Sequence, residues 1–150
     1  MEIQFIEKEI MHKLSIVELL AMSPIIVNIN ERVPGVEGRA IDLVSWYDIW
    51  AKARGLTVSE YPTHLSVEAA DEFCATMAWA ELEQAVLLYE QEGQPLVKDA
   101  PLRLYVPDGS SACLNVKSVV KLIFIHQEDL DSKATYGFKN KITLDDLKKK

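Results

Sequence analysis

The chain has 150 residues, 49% of them hydrophobic, and a mean hydropathy of +0.01, as expected of one globular domain that buries about two thirds of its unfolded surface. Its net charge of −7 argues against nucleic acid or an anionic membrane surface as a partner, because both are bound through clustered lysine and arginine. No apolar run approaches the roughly 18 residues of a membrane-spanning helix, and the acidic N-terminus is unlike a signal peptide, so we expect a cytoplasmic protein.

The N-terminal segment predicts a strand, a helix and a second strand. Apolar and polar residues alternate over residues 2–6, as in a strand with one buried face. Ser15 and Glu18 have the spacing of a capping box, so a helix begins there and Pro24 ends it. The β-branched residues within 25–30 then predict a buried strand.

The next segment predicts a loop and an amphipathic helix. Residues 31–39 carry a proline and two glycines, which is typical of a loop. Residues 43–54 have apolar side chains at helical spacing, and Gly55 follows as a C-terminal cap. Trp46 and Trp50 lie one turn apart on the apolar face. They would either stack on a ligand or pack against a sheet, and packing is the commoner role of such a pair.

A β-hairpin is predicted in the middle of the chain. Residues 63–67 and 73–79 form its two strands, and the acidic, alanine-rich residues 68–72 connect them. Residues 79–84 predict a short helical turn, and residues 86–89 predict another strand.

The stretch from residue 93 to residue 125 contains two further predicted strands and the candidate site. Apolar and polar residues alternate over 102–106, residues 107–109 form a Pro-Asp-Gly turn, and 119–125 is a β-branched and aromatic run. The basic and hydroxyl side chains in this stretch suggest a local anion pocket. The candidate ligand-binding residues are Arg103, Lys117, Ser118 and Lys121.

The end of the chain is polar and charged. We therefore predict a polar tail over residues 127–150, in which Thr143 caps a last short helix with acidic residues in its first turn and lysines in its last. No internal repeat or second core is evident, so residues 1–150 are expected to form a single domain.

The cysteines and histidines do not have the spacing of a known redox or metal-binding motif. Cys74 and Cys113 are far apart in sequence and lack a CxxC partner, so buried free thiols are expected. His12, His64 and His126 lie on three separate predicted elements without metal-ligand spacing, and we expect no metal site.

The order of motifs within residues 93–125 resembles the C-terminal part of the molybdopterin-binding domain of the sulfite oxidase family. The motifs are Gly-x-Pro-Leu, Ala-Pro-Leu-Arg-Leu-x-Val-Pro and, after a short turn, Lys-Ser-Val-x-x-Leu. Residues 38–50 and 69–89 resemble preceding segments of that family, so the resemblance covers roughly residues 25–125. It implies an α+β fold, a compact version of the sulfite oxidase molybdopterin domain, in which three or four short helices surround a mixed, mostly antiparallel β core.

The resemblance also implies where a cofactor would bind. In the family, the segment that residues 115–118 match approaches the pterin, and a lysine, a serine hydroxyl and backbone N–H groups are suited to a phosphate. Lys117 and Lys121 are equally suited to covering an edge strand. The family's molybdenum is ligated by a cysteine thiolate in the loop after the strand that residues 25–30 resemble. This chain has no cysteine there; the region contains Asn28, Asn30, Glu31 and Arg32.

Without that thiolate, we expect a non-catalytic domain that keeps the fold and binds a small anionic ligand or a protein partner. We expect no bound cofactor. If the chain does bind one, the family resemblance implies that this cofactor is molybdopterin. The alternative is a molybdenum-cofactor-dependent oxidoreductase in which a relocated cysteine, Cys113 or Cys74, supplies the sulfur.

Overall fold

A computed structural model of the protein describes residues 1–57, 60–127 and 135–138, which fold into short strands and helices. The strands are β1 (Glu2–Glu7), β2 (Ile10–Ser15), β3 (Ile26–Asn28), β4 (Arg39–Asp42), β5 (His64–Ala69), β6 (Phe73–Ala78), β7 (Val86–Gln91), β8 (Gln94–Pro95), β9 (Arg103–Tyr105), β10 (Val119–Ile125) and β11 (Thr135–Phe138). The α-helices are α1 (Ile16–Ala21) and α2 (Leu43–Ala53), and 3-10 helices cover Ile29–Glu31, Trp79–Leu82 and Ala112–Leu114.

The strands form two sheets. The six-stranded sheet has the order β11-β6-β5-β10-β1-β2, and the five-stranded sheet has the order β3-β4-β7-β8, with β9 also paired to β7. β1 and β10 are parallel, and the other described pairs are antiparallel. The predicted α+β class, with mixed and mostly antiparallel sheets and short helices, is therefore confirmed.

The main core lies where α2 packs on the six-stranded sheet. Trp46 and Trp50 are stacked with ring centroids 5.1 Å apart, and Phe5 of β1 lies 4.9 Å from Trp46. Phe124 of β10 lies 5.4 Å from Trp50. Trp46 is 0% exposed and Trp50 4% exposed, so the tryptophan pair packs in the core and offers no open face to a ligand.

The five-stranded sheet is apolar on both faces. Leu87 of β7 joins the main core, whereas Leu88 faces a second cluster with Ile29, Ala40 and Tyr105. Four consecutive residues of β7, Val86–Tyr89, are therefore buried, as expected of a strand covered on both sides.

Several predicted elements are confirmed. Ser15 caps α1, and its hydroxyl accepts a hydrogen bond from the Glu18 N–H while the Glu18 carboxylate accepts one from the Ser15 N–H. The helix predicted over residues 43–54 is α2; its N-terminal cap, which we did not predict, is Asp42, whose carboxylate accepts from the Ser45 N–H. The β5–β6 hairpin, the helical turn at Trp79–Leu82 and strand β10 also lie where the sequence predicts them.

The structure differs from the predicted elements in three places. The strand predicted over residues 25–30 ends early, because Ile29 turns into a 3-10 helix and donates its N–H to the Gly38 carbonyl at 2.9 Å. β2 is a strand that we did not predict. The polar tail contains β11, which pairs with β6. The helix predicted from Thr143 lies outside the described residues.

The expectation of buried thiols is wrong. Cys113 is exposed and Cys74 is half-buried. On the 3-10 helix Ala112–Leu114 the buried position is taken by Leu114, which turns the neighbouring cysteine outward.

None of the described helices has the length and apolar character needed to cross a membrane.

Candidate functional site

Lys117 and Ser118 lie in the segment that leads into β10. Leu114 and Val116 are buried and alternate with exposed residues, which places the side chains of Asn115 and Lys117 at the surface. Ser118 has a left-handed backbone with φ of 55°, and its N–H donates to the Asp99 carbonyl at 3.1 Å. That N–H is therefore already used inside the protein and is not directed at a ligand.

The structure places the four predicted residues in three different settings. Arg103 Nε lies 3.8 Å from a carboxylate oxygen of Asp99, so Arg103 and Ser118 meet at the same residue. Lys121 Nζ lies 3.6 Å from Glu68 Oε2 across the β10–β5 pair. Lys117 alone of the four lines a depression.

The depression beside Lys117 has a volume of about 210 Å³. One wall is the segment 115–117, and the other is the turn of the β5–β6 hairpin. The lining residues are Ala69, Asp71, Phe73, Asn115, Val116 and Lys117. The two walls are held together at their base, because the Ala70 N–H donates to the Ser118 carbonyl at 2.9 Å.

Three polar groups face this depression. The Lys117 ammonium makes no ion pair within residues 1–57, 60–127 and 135–138. The Asn115 side-chain oxygen accepts from the Val106 N–H at 2.8 Å, which fixes the amide, and the described part of the chain offers no hydrogen-bond partner to its NH2 group. Asp71 accepts from the Phe73 N–H at 3.2 Å and brings a negative charge to the opposite wall. The arrangement suits one small anion bound on the Lys117 side.

A second polar cluster was missed from the sequence. The side chain of Glu7 is 0% exposed and its Oε2 accepts from the Tyr47 hydroxyl at 2.5 Å. His126 Nε2 lies 2.6 Å from the same oxygen, and the Arg54 guanidinium binds Oε1. In the sequence, Glu7 continues the alternation of Ile3 and Phe5 along β1. That alternation indicates that the Glu7 side chain lies on the buried face of the strand.

The Glu7 cluster has a structural role. Burial raises the pKa of Glu7, but the hydrogen bonds from Tyr47, His126 and Arg54 outweigh burial and hold it below its ordinary value. Burial and the bond to Glu7 raise the pKa of Tyr47. The carboxylate is fully buried and paired, and its hydrogen bonds join β1, α2 and the end of β10.

The histidines and cysteines do not converge. His12 packs edge-on against Trp50 at 5.4 Å, His64 lies 2.9 Å from the Thr63 hydroxyl, and His126 binds Glu7. Within the part of the chain that the structure describes, no three histidine, cysteine, aspartate or glutamate side chains are arranged to hold a metal ion.

A larger groove lies between α1 and the β7–β8 hairpin, with a volume of about 480 Å³. Its walls are mostly apolar and include Ile16, Leu20, Leu96 and Pro101. None of the four predicted ligand-binding residues lines it.

The fold and these two cavities define an α+β domain with a small polar depression and a larger apolar groove. No model of a known protein family matches the chain, and no curated protein is significantly similar to it. Its function is therefore inferred from its own residues.

Proposed function

We propose that the chain is a non-catalytic binding domain that holds a small anionic ligand in the depression beside Lys117. The observation that carries this proposal is the Lys117 ammonium at the wall of a concave site, where no side chain of the described residues forms an ion pair with it. The Asn115 NH2 group supplies a second donor on the same wall. A cation and an amide donor together satisfy an oxyanion better than either group alone.

The charges around the depression limit what it binds. Asp71 faces Lys117 across the depression, so a highly charged anion would be repelled by one wall while it is attracted by the other. Lys121 is already paired with Glu68, and Arg103 lies close to Asp99, so neither strengthens the site. The proposed ligand is therefore small and carries its charge at one end.

The resemblance to the sulfite oxidase molybdopterin domain supports the same location. In that family the segment matched by residues 115–118 approaches the pterin cofactor. We propose that this chain is a compact version of that fold, in which the cofactor-facing segment is retained and the redox metal is not.

Titration with acetate, a small anion with a single charge at one end, followed by amide chemical shifts, tests the proposal. Lys117→Ala should weaken acetate binding about tenfold, the effect of one charge-assisted hydrogen bond. Asp71→Asn should strengthen binding, because it removes the opposing charge. Lys98→Ala changes another exposed lysine and is the matched control. Equal effects of Lys117→Ala and Lys98→Ala would contradict the proposal.

A molybdenum-cofactor-dependent oxidoreductase is the alternative that the resemblance implies. Cys113 lies two residues before Asn115, and Cys74 directly follows Phe73, so both thiols flank the depression in sequence. Neither cysteine lines either cavity, so the described residues do not fit a thiolate-bound metal and we derive no step through it.

The molybdenum content of protein made in a host that synthesises the cofactor tests the alternative. Stoichiometric molybdenum that is lost in Cys113→Ala or Cys74→Ala would establish it and overturn the proposal of a non-catalytic domain. Folded, metal-free protein would exclude it.

A protein partner is a second candidate, which the edge of β2 favours. Lys8 and Glu9 both have positive φ, so β1 and β2 are joined by a two-residue turn and Glu7 pairs with Ile10 by hydrogen bonds. Met11 and Lys13 consequently direct their backbone groups away from β1. An extended segment of a partner would add to this edge as a further strand.

A further inference from the structure

The depression beside Lys117 carries opposite charges on its two walls. Lys117 lies on one wall and Asp71 on the other, and the two side chains form no ion pair with each other. The proposed function places the negative charge of the ligand at the Lys117 end. The group at the other end of the ligand therefore faces the Asp71 carboxylate.

Backbone hydrogen bonds hold both walls in place. On the acidic wall, Asp71 Oδ1 accepts from the Phe73 N–H at 3.2 Å within the β5–β6 turn. On the basic wall, the Leu104 N–H donates to the Val116 carbonyl at 2.8 Å, directly before the lysine. The two charged residues are therefore presented from fixed backbone positions, and a ligand need not reorganise the walls in order to contact both.

Asp71 has a carboxylate oxygen available to a ligand. Its Oδ1 is used by the Phe73 N–H, whereas its Oδ2 accepts no hydrogen bond from the described residues. A ligand that is only anionic brings no donor to this oxygen and is repelled by its charge. An ammonium group brings three donors and is attracted by the same charge.

The size of the depression and the charge of the protein indicate the same class of ligand. Its volume of about 210 Å³ is smaller than the roughly 300–1,000 Å³ of pockets that hold drug-sized molecules. Ala69, Phe73 and Val116 line it with apolar atoms that suit a short carbon chain. The net charge of −7 disfavours a ligand with a net negative charge, but it does not disfavour one whose two charges cancel.

We propose that the depression binds a small amino acid in its zwitterionic form. The carboxylate of the ligand pairs with Lys117 and the Asn115 NH2 group, and its ammonium group pairs with Asp71. This inference rests on the proposed function, because it keeps the anionic end of the ligand at Lys117 and specifies the group at the opposite end.

Glycine and propanoate test the inference, because they have nearly the same shape and differ in an ammonium or a methyl group. Each is titrated into the full chain at about pH 7, where both ends of glycine are charged, and the amide shifts of Asp71, Phe73 and Val116 report binding. Glycine should bind about fivefold more tightly than propanoate, the effect of one exposed ion pair. Equal affinities, or no binding of glycine, would overturn the inference. Propanoate binding that is weakened by Lys117→Ala would still support the proposed function in that case.

Variants of the two charged walls separate the inference from the proposed function. Asp71→Asn should weaken glycine binding about fivefold and strengthen propanoate binding, because one carboxylate attracts the first ligand and repels the second. Lys117→Ala should weaken the binding of both. Asp108→Asn is the matched control, since it removes a negative charge at an exposed position that does not line the depression. A thermal unfolding curve of each variant verifies folding.

The two proposals fail in different ways. If Asp71→Asn strengthens glycine binding, or changes it no more than Asp108→Asn does, the ammonium group is not held by Asp71 and the zwitterion inference is wrong. If Lys117→Ala leaves the affinities for glycine and propanoate unchanged, the anion-binding function itself is contradicted.

Discussion

Glu7 is a fully buried carboxylate that the protein keeps ionised. Its two oxygens receive hydrogen bonds from Tyr47, Arg54 and His126, and the Arg54 guanidinium also lies 3.5 Å from the Trp50 ring centroid. A buried charge is tolerated only when its partners are in place, and removing one partner of such a group is unfavourable by about 3–5 kcal/mol. This cluster therefore makes the packing of α2 against β1 specific.

Acid should destabilise the protein through Glu7. Its pKa is lower in the folded than in the unfolded chain, so its contribution to stability is present above about pH 4.3 and is lost as the pH falls through the folded pKa. We expect the free energy of unfolding to fall more steeply between about pH 5 and pH 3 in the natural chain than in Glu7→Gln.

Urea unfolding at several pH values measures this difference. Glu83→Gln, at an exposed position, is the control and should retain the natural pH dependence. The same steepness in the natural chain and in Glu7→Gln would show that the Glu7 cluster does not set the acid response.

Within the elements, the junction of β4 with β7 depends on one glycine. Gly38 has a φ of +134°, and a Cβ there would lie 2.7 Å from Leu88 Cδ1 and closer still to the Glu90 carbonyl oxygen. The register of β4 against β7 shifts between Arg39 and Ala40, directly after this glycine. The close approach of the two backbones therefore requires a residue without a side chain.

Gly38→Ala should lower the free energy of unfolding by more than about 2 kcal/mol, because backbone strain and a steric clash add together. Gly35→Ala is the matched control. Gly35 also has a positive φ, of +91°, but a Cβ there would have no neighbour within 4 Å. Equal losses in the two variants, measured by chemical unfolding, would show that the clash at β7 is relieved without cost.

Across the molecule as a whole, the edge of the six-stranded sheet at β2 is open to association. Among the described strands β2 has a neighbour on one side only, and Ile10 and Met11 are 60% and 51% exposed. Proteins usually protect such edges with charges, and Lys13 is the one charged residue within β2.

We expect the chain to self-associate through β2 as its concentration rises. The double variant Ile10→Lys, Met11→Lys should stay monomeric in analytical ultracentrifugation, because it adds like charges along the edge. Val97→Lys changes a 94% exposed side chain in another loop and should associate like the natural chain. A natural chain that stays monomeric up to about millimolar concentration would contradict this use of the edge.

Much of the fold could be predicted from short-range patterns. Ser15 with Glu18 and Asp42 with Ser45 are contacts between residues three apart, so the sequence contains both partners of each helix cap.

β2 could not be predicted in this way. Its turn is formed by Lys8 and Glu9, which lack the usual preference for the positive φ that a two-residue hairpin needs.

The candidate site could be predicted only in part. The basic residues near β10 were evident, but their pairing was not. Lys121 faces Glu68 because β10 and β5 adopt a particular register, whereas Lys117 lies opposite the β5–β6 turn and has no ion-pair partner among the described residues. Register is a property of the assembled sheet, and a shift of one residue would exchange the two faces of the strand.

The sequence by itself determined the short helices and strands, the Ser15 cap of α1, the β5–β6 hairpin and the apolar face of α2, because these follow from propensities and contacts between near neighbours. Only the tertiary structure decided the Glu7 cluster and the two cavities. Glu7 and His126 are 119 positions apart, and their contact depends on the parallel pairing of β1 with β10. Such contacts form when distant segments pack together, so no local pattern encodes them.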